Sequence, residues 1–396
     1  MTELLLVGIG DLGLPYLIAA KRLQVGVRLV ETAERAEPLR DLVDGVQLVP
    51  GTAEEQWADA ALAAAAERAP DGVLGLGEHQ VMAAALVGHY LGLPGPGLGA
   101  AVVSRNKALQ RARFSSAGLP QPEFLVADSL AEAGEWAGAR FPVVLKPLGG
   151  SGSSGVELVR DRAAYAEAVE HRAHDGRLLV ESAARGPEYS WEGLVREGKV
   201  LLGNITAKET TGPPHFVETA HRVGGAPAHV ERAGQQLGRD VVAALGLDTG
   251  IAHLEFRMTS AGPVIMEVAV RTPGDSIMDA VGLVHGLDMY EALVRLALGM
   301  PVPAVERAVP HGRSASLFPL ARPGRVTAVT GLAEVREHPG VARVFVGVRP
   351  GDTVRPTTCS ADRPAAVLLS ADDDAQLERS IAHVRATLAI ETVPEA

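Results

Sequence analysis

One cysteine, Cys359, occurs in 396 residues. That excludes an internal disulfide framework and a cluster of thiolate metal ligands, and it fits a reducing compartment. Aromatic residues make up only 4% of the chain, so the cores must be built from Leu, Val and Ala. No apolar run approaches the roughly 18 residues of a membrane span. The first residues read directly as a strand, without a charged-then-apolar leader. A cytoplasmic, soluble protein with no membrane partner is therefore expected. Positive charge is also short: the net charge of −11 argues against a nucleic-acid groove, which needs concentrated Lys and Arg. Lysine itself is scarce. Of 37 basic residues only Lys21, Lys107, Lys146, Lys199 and Lys208 are lysines, and each marks a place where a compact ammonium is wanted.

What is present suits a soluble α/β chain of two or three domains, with 47% apolar and 21% charged residues. Over residues 1–100, LLLV, VRLVE, VQLVP and GVLGL alternate with amphipathic stretches, which implies a parallel sheet covered by helices. LGLPGPGLG at 91–99 reads as a linker. Helices are expected at 105–120, near 129–138, and at 230–245, 286–299 and 373–388. Between 186 and 270 the pattern becomes mostly β, with EYSWEGLV and KVLLGNITAKET alternating like a hairpin.

LLLVGIGDLG, residues 4–13, has the form of a dinucleotide fingerprint. Gly8, Gly10 and Gly13 would permit a tight turn under a pyrophosphate, and Glu31 lies where a ribose-binding acid belongs. Glycine-rich βα turns also recur for packing reasons alone, so the motif decides nothing by itself.

The stronger signal is PVVLKPLGGSGSSGVELV, residues 142–159. A strand delivers Lys146, and a loop of glycines and serines (Gly150, Ser151, Gly152 and Ser153 at its centre) returns into a second strand. Such a loop can lay backbone N–H groups against a polyphosphate. It lacks the GxxxxGK[ST] spacing, and between two strands a mobile flap is the natural reading. Lys107 heads a helix in SRNKALQRARF, Glu181 ends the strand LLVES, and Glu188 follows seven residues later. Glu255 in HLEFRM and Glu267 in VIMEVAVRTPGD sit in apolar strands, where a carboxylate needs a cation. Two such acids on neighbouring strands make a hard oxygen site suited to Mg²⁺; a salt bridge to arginine is the alternative for each.

In this order the motifs resemble the ATP-grasp superfamily of carboxylate–amine ligases, nearly end to end. Within it the chain looks most like the L-amino acid ligases; LARPGRVTAVTGLAEVREHPGVARVFVGVRPGDTV is similar to their small terminal module. The resemblance implies an α/β ATP-grasp fold. A Rossmann-like N-terminal domain (1–104) would be followed by a small α+β lid carrying the flap (105–185). A larger α+β subdomain with a mixed or antiparallel sheet (186–310) and a small β-rich module packed on it (311–396) would complete the chain. ATP and Mg²⁺, with Mn²⁺ as an alternative ion, would be the cofactors. Lys107 and Lys146 would contact the phosphates beneath the flap, and Glu181, Ser182 and Ala183 would line the adenine pocket. Glu188 would take the ribose, Glu255 and Glu267 the metal, and Arg271 the acid or its acyl phosphate. Lys208 is a further phosphate or substrate contact.

The resemblance also removes the need for a dinucleotide, leaving Glu31 as an ordinary strand-end acid. Substrate-facing candidates are Glu218 and His221, in what resembles a loop (PPHFVETAHRVGG), with His253, Gly274 and Asp275; Asp275 could equally be a helix N-cap. Trp191 is either a substrate wall or core. The family pattern has Asn where this chain has Ala269, which removes one metal ligand. The implied reaction joins a small carboxylic acid to an amine, such as two amino acids, through an acyl phosphate, with a homodimer as the family expectation. Other ATP-grasp chemistry (a carboxylase or purine-type ligase) and a non-catalytic nucleotide-binding protein are the alternatives.

Overall fold

The computed structural model describes residues 2–10 and 13–394. Met1, Glu395 and Ala396, and Asp11 and Leu12 of the glycine fingerprint, lie outside the described residues. Strands β1 (Glu3–Val7), β2 (Gly26–Thr32), β3 (Gly45–Val49) and β4 (Gly72–Gly75) form a parallel sheet in the order β3-β2-β1-β4. Leu4 to Val7 are wholly buried because both faces of β1 are covered. Leu5 and Val7 pack with Trp57 and Ala61 of the helix Glu54–Glu67. Leu4 and Leu6 point the other way, into a core cluster shared with Ile277, Val281 and Leu293 from the helices Ile277–His285 and Met289–Ala297. The N-terminal sheet is thus clamped to the body of the molecule by one of its own faces.

The glycine turn has a packing explanation. Gly8 and Gly10 have φ of +69° and +48°, and a Cβ at Gly13 would overlap Ile9. Glu31 departs from the expectation of an ordinary strand-end acid. It is 2% exposed, and its carboxylate accepts hydrogen bonds from the Ile9 amide at 2.8 Å and the Thr32 amide at 2.7 Å. The acid of the apparent fingerprint holds the turn itself.

The next sheet contains β5 (Phe124–Ala127), β6 (Val143–Pro147), β7 (Glu157–Val159) and β8 (Leu178–Ser182), antiparallel in the order β5-β8-β6-β7. The 149–155 loop joins β6 to β7. The helix expected near 129–138 is only Gly134–Gly138.

The largest sheet begins with β9 (Glu188–Arg196), β10 (Lys199–Thr210), β11 (Glu218–Val223), β12 (Gly250–Thr259) and β13 (Gly262–Ala269). Glu218 and His221 therefore lie on a strand, not on the loop expected of their segment. The remaining strands are β14 (Arg313–Leu317), β15 (Gly324–Thr330), β16 (Val341–Val346), β17 (Thr353–Val354), β18 (Ala365–Ala371) and β19 (Ala389–Val393). Three of these, β14, β18 and β16, continue the large sheet in the order β13-β12-β9-β10-β11-β14-β18-β16, whereas β15, β17 and β19 pair separately. The last 80-odd residues are therefore not a module merely packed on the large domain: Ala220 of β11 pairs directly with Leu317 of β14.

Trp191 is core. It is fully buried in β9, its indole lies against Gly238 of the helix Ala228–Leu245, and its Nε1–H donates to Gln235 at 3.0 Å. A separate helix, Ile277–His285, precedes Met289–Ala297, which is the helix expected at 286–299. Gly286 ends the first in the left-handed conformation, and the Asp288 carboxylate caps the second by accepting from the amides of Tyr290 and Glu291.

Candidate active site

A cleft of about 870 Å³ opens between the N-terminal sheet, the flap-bearing sheet and the eight-stranded sheet. Its walls come from the C-terminal end of β4 (Leu76 to Glu78), the flap, the ends of β6 and β8, the sheet face of β10 to β13, and Ser360 from the C-terminal segment. Every site residue singled out from the sequence lines it, from Lys107 and Lys146 through the flap to Arg271, Gly274 and Asp275. Three of the five lysines converge here, so their scarcity elsewhere was informative.

The lysines are held by carboxylates. Lys107, at the first turn of the helix Lys107–Ser116, reaches Glu267 at 2.9 Å and the Gly150 carbonyl of the flap at 3.2 Å. The Asn106 side chain caps that helix by accepting from the amides of Ala108 and Leu109, which fixes where Lys107 starts. Lys146 meets Glu181 at 2.7 Å, and Arg111 pairs with the same carboxylate. Burial raises the affinity of Glu181 for a proton, but the two cations outweigh it and hold the acid below its usual range. The carboxylate of Glu181 is thus committed inside the protein. Beside it the cleft is lined by Ser182, Ala183 and Ala184 and by Val144, Leu158 and Met266.

Lys208 is the hub. Its side chain is 1% exposed, with Nζ 2.6 Å from Glu255 and 3.2 Å from both Glu188 and Glu218. Burial alone would depress the ammonium, yet Glu255, Glu188 and Glu218 together raise it well above the usual lysine value. Glu255 is correspondingly held well below the usual carboxylate range by Lys208 and His253, against the effect of burial. Glu188 is shared with Arg257 at 2.7 Å.

Glu255 and Glu267 face each other across the β12–β13 ladder. Both remain about a quarter exposed to the cleft. Ala269 leaves the next position on that face without a ligand. Among the described residues no three His, Cys, Asp or Glu side chains are grouped to hold a metal unaided. Two carboxylates lining the cleft nevertheless suit Mg²⁺, which keeps several waters and uses one or two carboxylates plus substrate phosphates. In this structure lysine ammoniums, not guanidinium groups, balance the two acids.

Behind Glu255 runs a buried polar chain. His253 Nε2 lies 3.4 Å from Glu255, and its Nδ1 is 3.0 Å from the fully buried Glu192. Glu192 also accepts from Ser190 (2.6 Å), Thr206 (2.7 Å) and Asn204 (3.0 Å). Burial lowers the His253 imidazole, but its bonds to the two acids push it up to about 9.

Arg271 turns toward the N-terminal domain. It donates to Glu78 at 2.6 Å and to the Thr272 carbonyl at 2.8 Å, and Arg105 holds the same Glu78. Asp275 is not the helix N-cap, since Ser276 occupies that position. Its carboxylate instead binds His221 at 2.8 Å and both guanidinium nitrogens of Arg363. Those hydrogen bonds overcome burial and lower its pKa strongly.

Glu78, Arg105, Glu192, Ser360 and Arg363 were not anticipated. Glu78 had one legible signal, its place just beyond the C-terminal end of a parallel strand, where α/β sheets bind ligands. Arg363 had none, because 140 residues separate it from the strand it serves.

Residues 139–279 match the ATP-grasp domain, and residues 316–393 match the L-amino acid ligase C-terminal domain 2. With the glycine flap and the lysine-bearing strands, these matches define the class: the chain carries an ATP-grasp domain followed by an L-amino acid ligase C-terminal domain. Its C-terminal match and its fold are similar to those of the L-amino acid ligases. The crystal structure of the L-amino acid ligase from Bacillus licheniformis superimposes with a TM-score of 0.86 at 24% identity, covering 99% of both chains. Dapdiamide A synthase of Enterobacter agglomerans is 25% identical over 71% of this chain and 70% of its own length. The uncharacterized protein y4rH of Sinorhizobium fredii is 34% identical over 66% of this chain. The chain spans only 56% of y4rH. Among the described residues no helix is long and apolar enough to cross a membrane.

Proposed function

We propose that the protein is an ATP-dependent, ADP-forming ligase that joins a small carboxylic acid, such as an amino acid, to the amine of a second amino acid. The observation that carries this reading is the convergence of Lys107, Lys146 and Lys208, the glycine flap, the facing acids Glu255 and Glu267, and Arg271 in one cleft. The terminal domain match and the likeness to a dapdiamide synthase support amide formation over carboxylation.

In the proposed reaction a carboxylate oxygen attacks the γ-phosphorus of ATP, the bond to the β-bridging oxygen breaks, and ADP leaves. The amine nitrogen then attacks the acyl carbon, the C–O bond to phosphate breaks, and the amine gives up a proton. Phosphoryl transfer depends mainly on positioning and charge neutralisation. Lys107 and Lys146 supply positive charge at the phosphates, and the flap's amides enclose them and exclude water. Ser182 and Ala183 present backbone to the base, and Glu188 takes the ribose once Arg257 and Lys208 share it. Mg²⁺, held by Glu255 and Glu267, would neutralise phosphate charge. Arg271 and the Gly274 amide orient the acid, and the amine proton is accepted by Glu218 or His221. A solvent-filled cytosol suits these substrates, with no nucleic acid or membrane partner and a homodimer as the proposed assembly.

The test is ADP release across amino-acid pairs, with mass spectrometry of the products. Pair-dependent ADP and a product mass equal to the sum of the pair less one water are expected. Bicarbonate-dependent ADP release, or nucleotide binding without turnover, would overturn the reading. Glu267→Gln should abolish amide formation and leave the folded state intact by circular dichroism.

A further inference from the structure

The C-terminal segment Thr358–Arg363 touches three parts of the cleft at once, reaching back 88 residues to Asp275, 142 to Glu218 and 208 to Gly152. Its own shape is fixed by Asp362, whose carboxylate accepts from the amides of Thr358 (2.9 Å) and Cys359 (3.0 Å) and from the Thr358 hydroxyl (3.0 Å). From that turn Ser360 faces two ways. Its amide donates to the Gly152 carbonyl at the tip of the flap (3.2 Å), and its hydroxyl donates to Glu218 (2.8 Å). Arg363, 7% exposed and lying 3.8 Å over the Phe318 ring, donates to the Asp275 carboxylate and to the Glu218 carbonyl (3.3 Å).

What Arg363 grips is a strained corner. Asp275 and Ser276 are consecutive non-glycine residues at φ of +61° and +57°. Conformations of this kind persist only where the surroundings over-determine them. Here two arginines do so, one from the segment and one from β16: Arg363 holds Asp275, and Arg343 donates to the Ser276 hydroxyl at 2.8 Å. The corner follows directly on Gly274 and lies four residues after Arg271.

We propose that Ser360 and Arg363 are positioning residues that tie flap closure to the assembled substrate corner, so that activated acid passes to an amine rather than to water. This rests on the ligase reading above. With the flap closed, Ser360 bridges Gly152 to Glu218, and Arg363 holds Asp275 and His221 in register with Arg271. When the link is cut, phosphoryl transfer continues on the lysines, while the acceptor side is looser and open to water. The C-terminal domain is then part of the site, not an appendage to it.

The experiment compares wild type, Ser360→Ala, Arg363→Lys and Arg363→Ala, measuring ADP and amide in the same reaction. Lysine keeps the charge of Arg363 but cannot bind a carboxylate through two nitrogens. The expected result is a fall of about tenfold or more in amide formed per ADP for Arg363→Lys, the scale of a sub-ångström misplacement. Ser360→Ala should show a smaller fall in the same ratio, with acid-dependent ADP release rising when amine is withheld and the KM for ATP within about twofold. A purely structural role would lower ADP and amide together and leave their ratio alone. An unchanged ratio in both Ser360→Ala and Arg363→Lys therefore overturns the inference. If Arg363→Ala does not fold, Ser360→Ala, which removes one hydroxyl, decides the matter with Arg363→Lys. If wild type itself releases no ADP with any acid–amine pair, the ligase reading falls and takes this inference with it, an outcome distinct from an unchanged ratio.

Discussion

Replacing Lys208 by methionine removes the cation at the centre of the cleft while nearly preserving side-chain volume. Three carboxylates lie within 3.2 Å of its ammonium. At an effective dielectric of about 20, one such pair near 3 Å amounts to roughly 5 kcal/mol of gross attraction. Desolvation of a side chain only 1% exposed offsets most of this. Glu188 keeps Arg257, Glu218 keeps the Ser360 hydroxyl, and Glu255 keeps His253, so the acids are not abandoned altogether. Breaking a buried pair from one side costs about 3–5 kcal/mol, and that is the loss expected near pH 8.

The pH dependence fixes the sign. In the wild type Glu255 and Glu218 lie below their ordinary values, so their contribution is full above about pH 4.5 and is lost as pH falls through the depressed values. In the variant the same acids rise above their unfolded values, so folding takes up protons and stability falls as pH rises. The gap between the two proteins should therefore widen from about pH 5 to pH 8. Urea denaturation at several pH values measures it. A gap under about 1 kcal/mol throughout, or one that widens toward acid, would refute the reasoning.

Two further outcomes follow from the packing and the buried network. Gly238→Ala gains about 1 kcal/mol of helix propensity, but its methyl group would fall inside the Trp191 indole. A net loss of about 1–2 kcal/mol is expected in thermal denaturation, and a stabilised variant would show that the indole can yield. The His253 imidazole should titrate at about 9 by NMR. Because this is raised from the unfolded value, the stability it brings is full below about pH 6.5 and lost as pH rises through 9, up to about 3 kcal/mol in all. A titration below pH 7 would mean that Glu192 does not hold it.

Much of the site was legible in the residues because its parts are local. A glycine flap between two strands, a lysine heading a capped helix, and acids in otherwise apolar strands each carry their meaning within about ten residues. The same locality misled in two places. Glu31 reads as an ordinary strand-end acid, yet nothing local reveals that its carboxylate turns back to the Ile9 amide. The segment around Glu218 and His221 resembles a loop in composition, but pairing with β10 and β14 makes it a strand.

By itself, the sequence determined most of the strands and helices, the turn residues, and the identity of the charged groups that line the cleft. Hydrophobic period, caps and glycine positions act over a few residues and need no partner from elsewhere in the chain. Only the tertiary structure decided which charge balances which: Lys208 among three acids, Arg271 on Glu78, and Arg363 on Asp275. Those pairings join residues tens to hundreds of positions apart, and a buried charge is settled by whichever opposite charge the fold brings within about 3 Å.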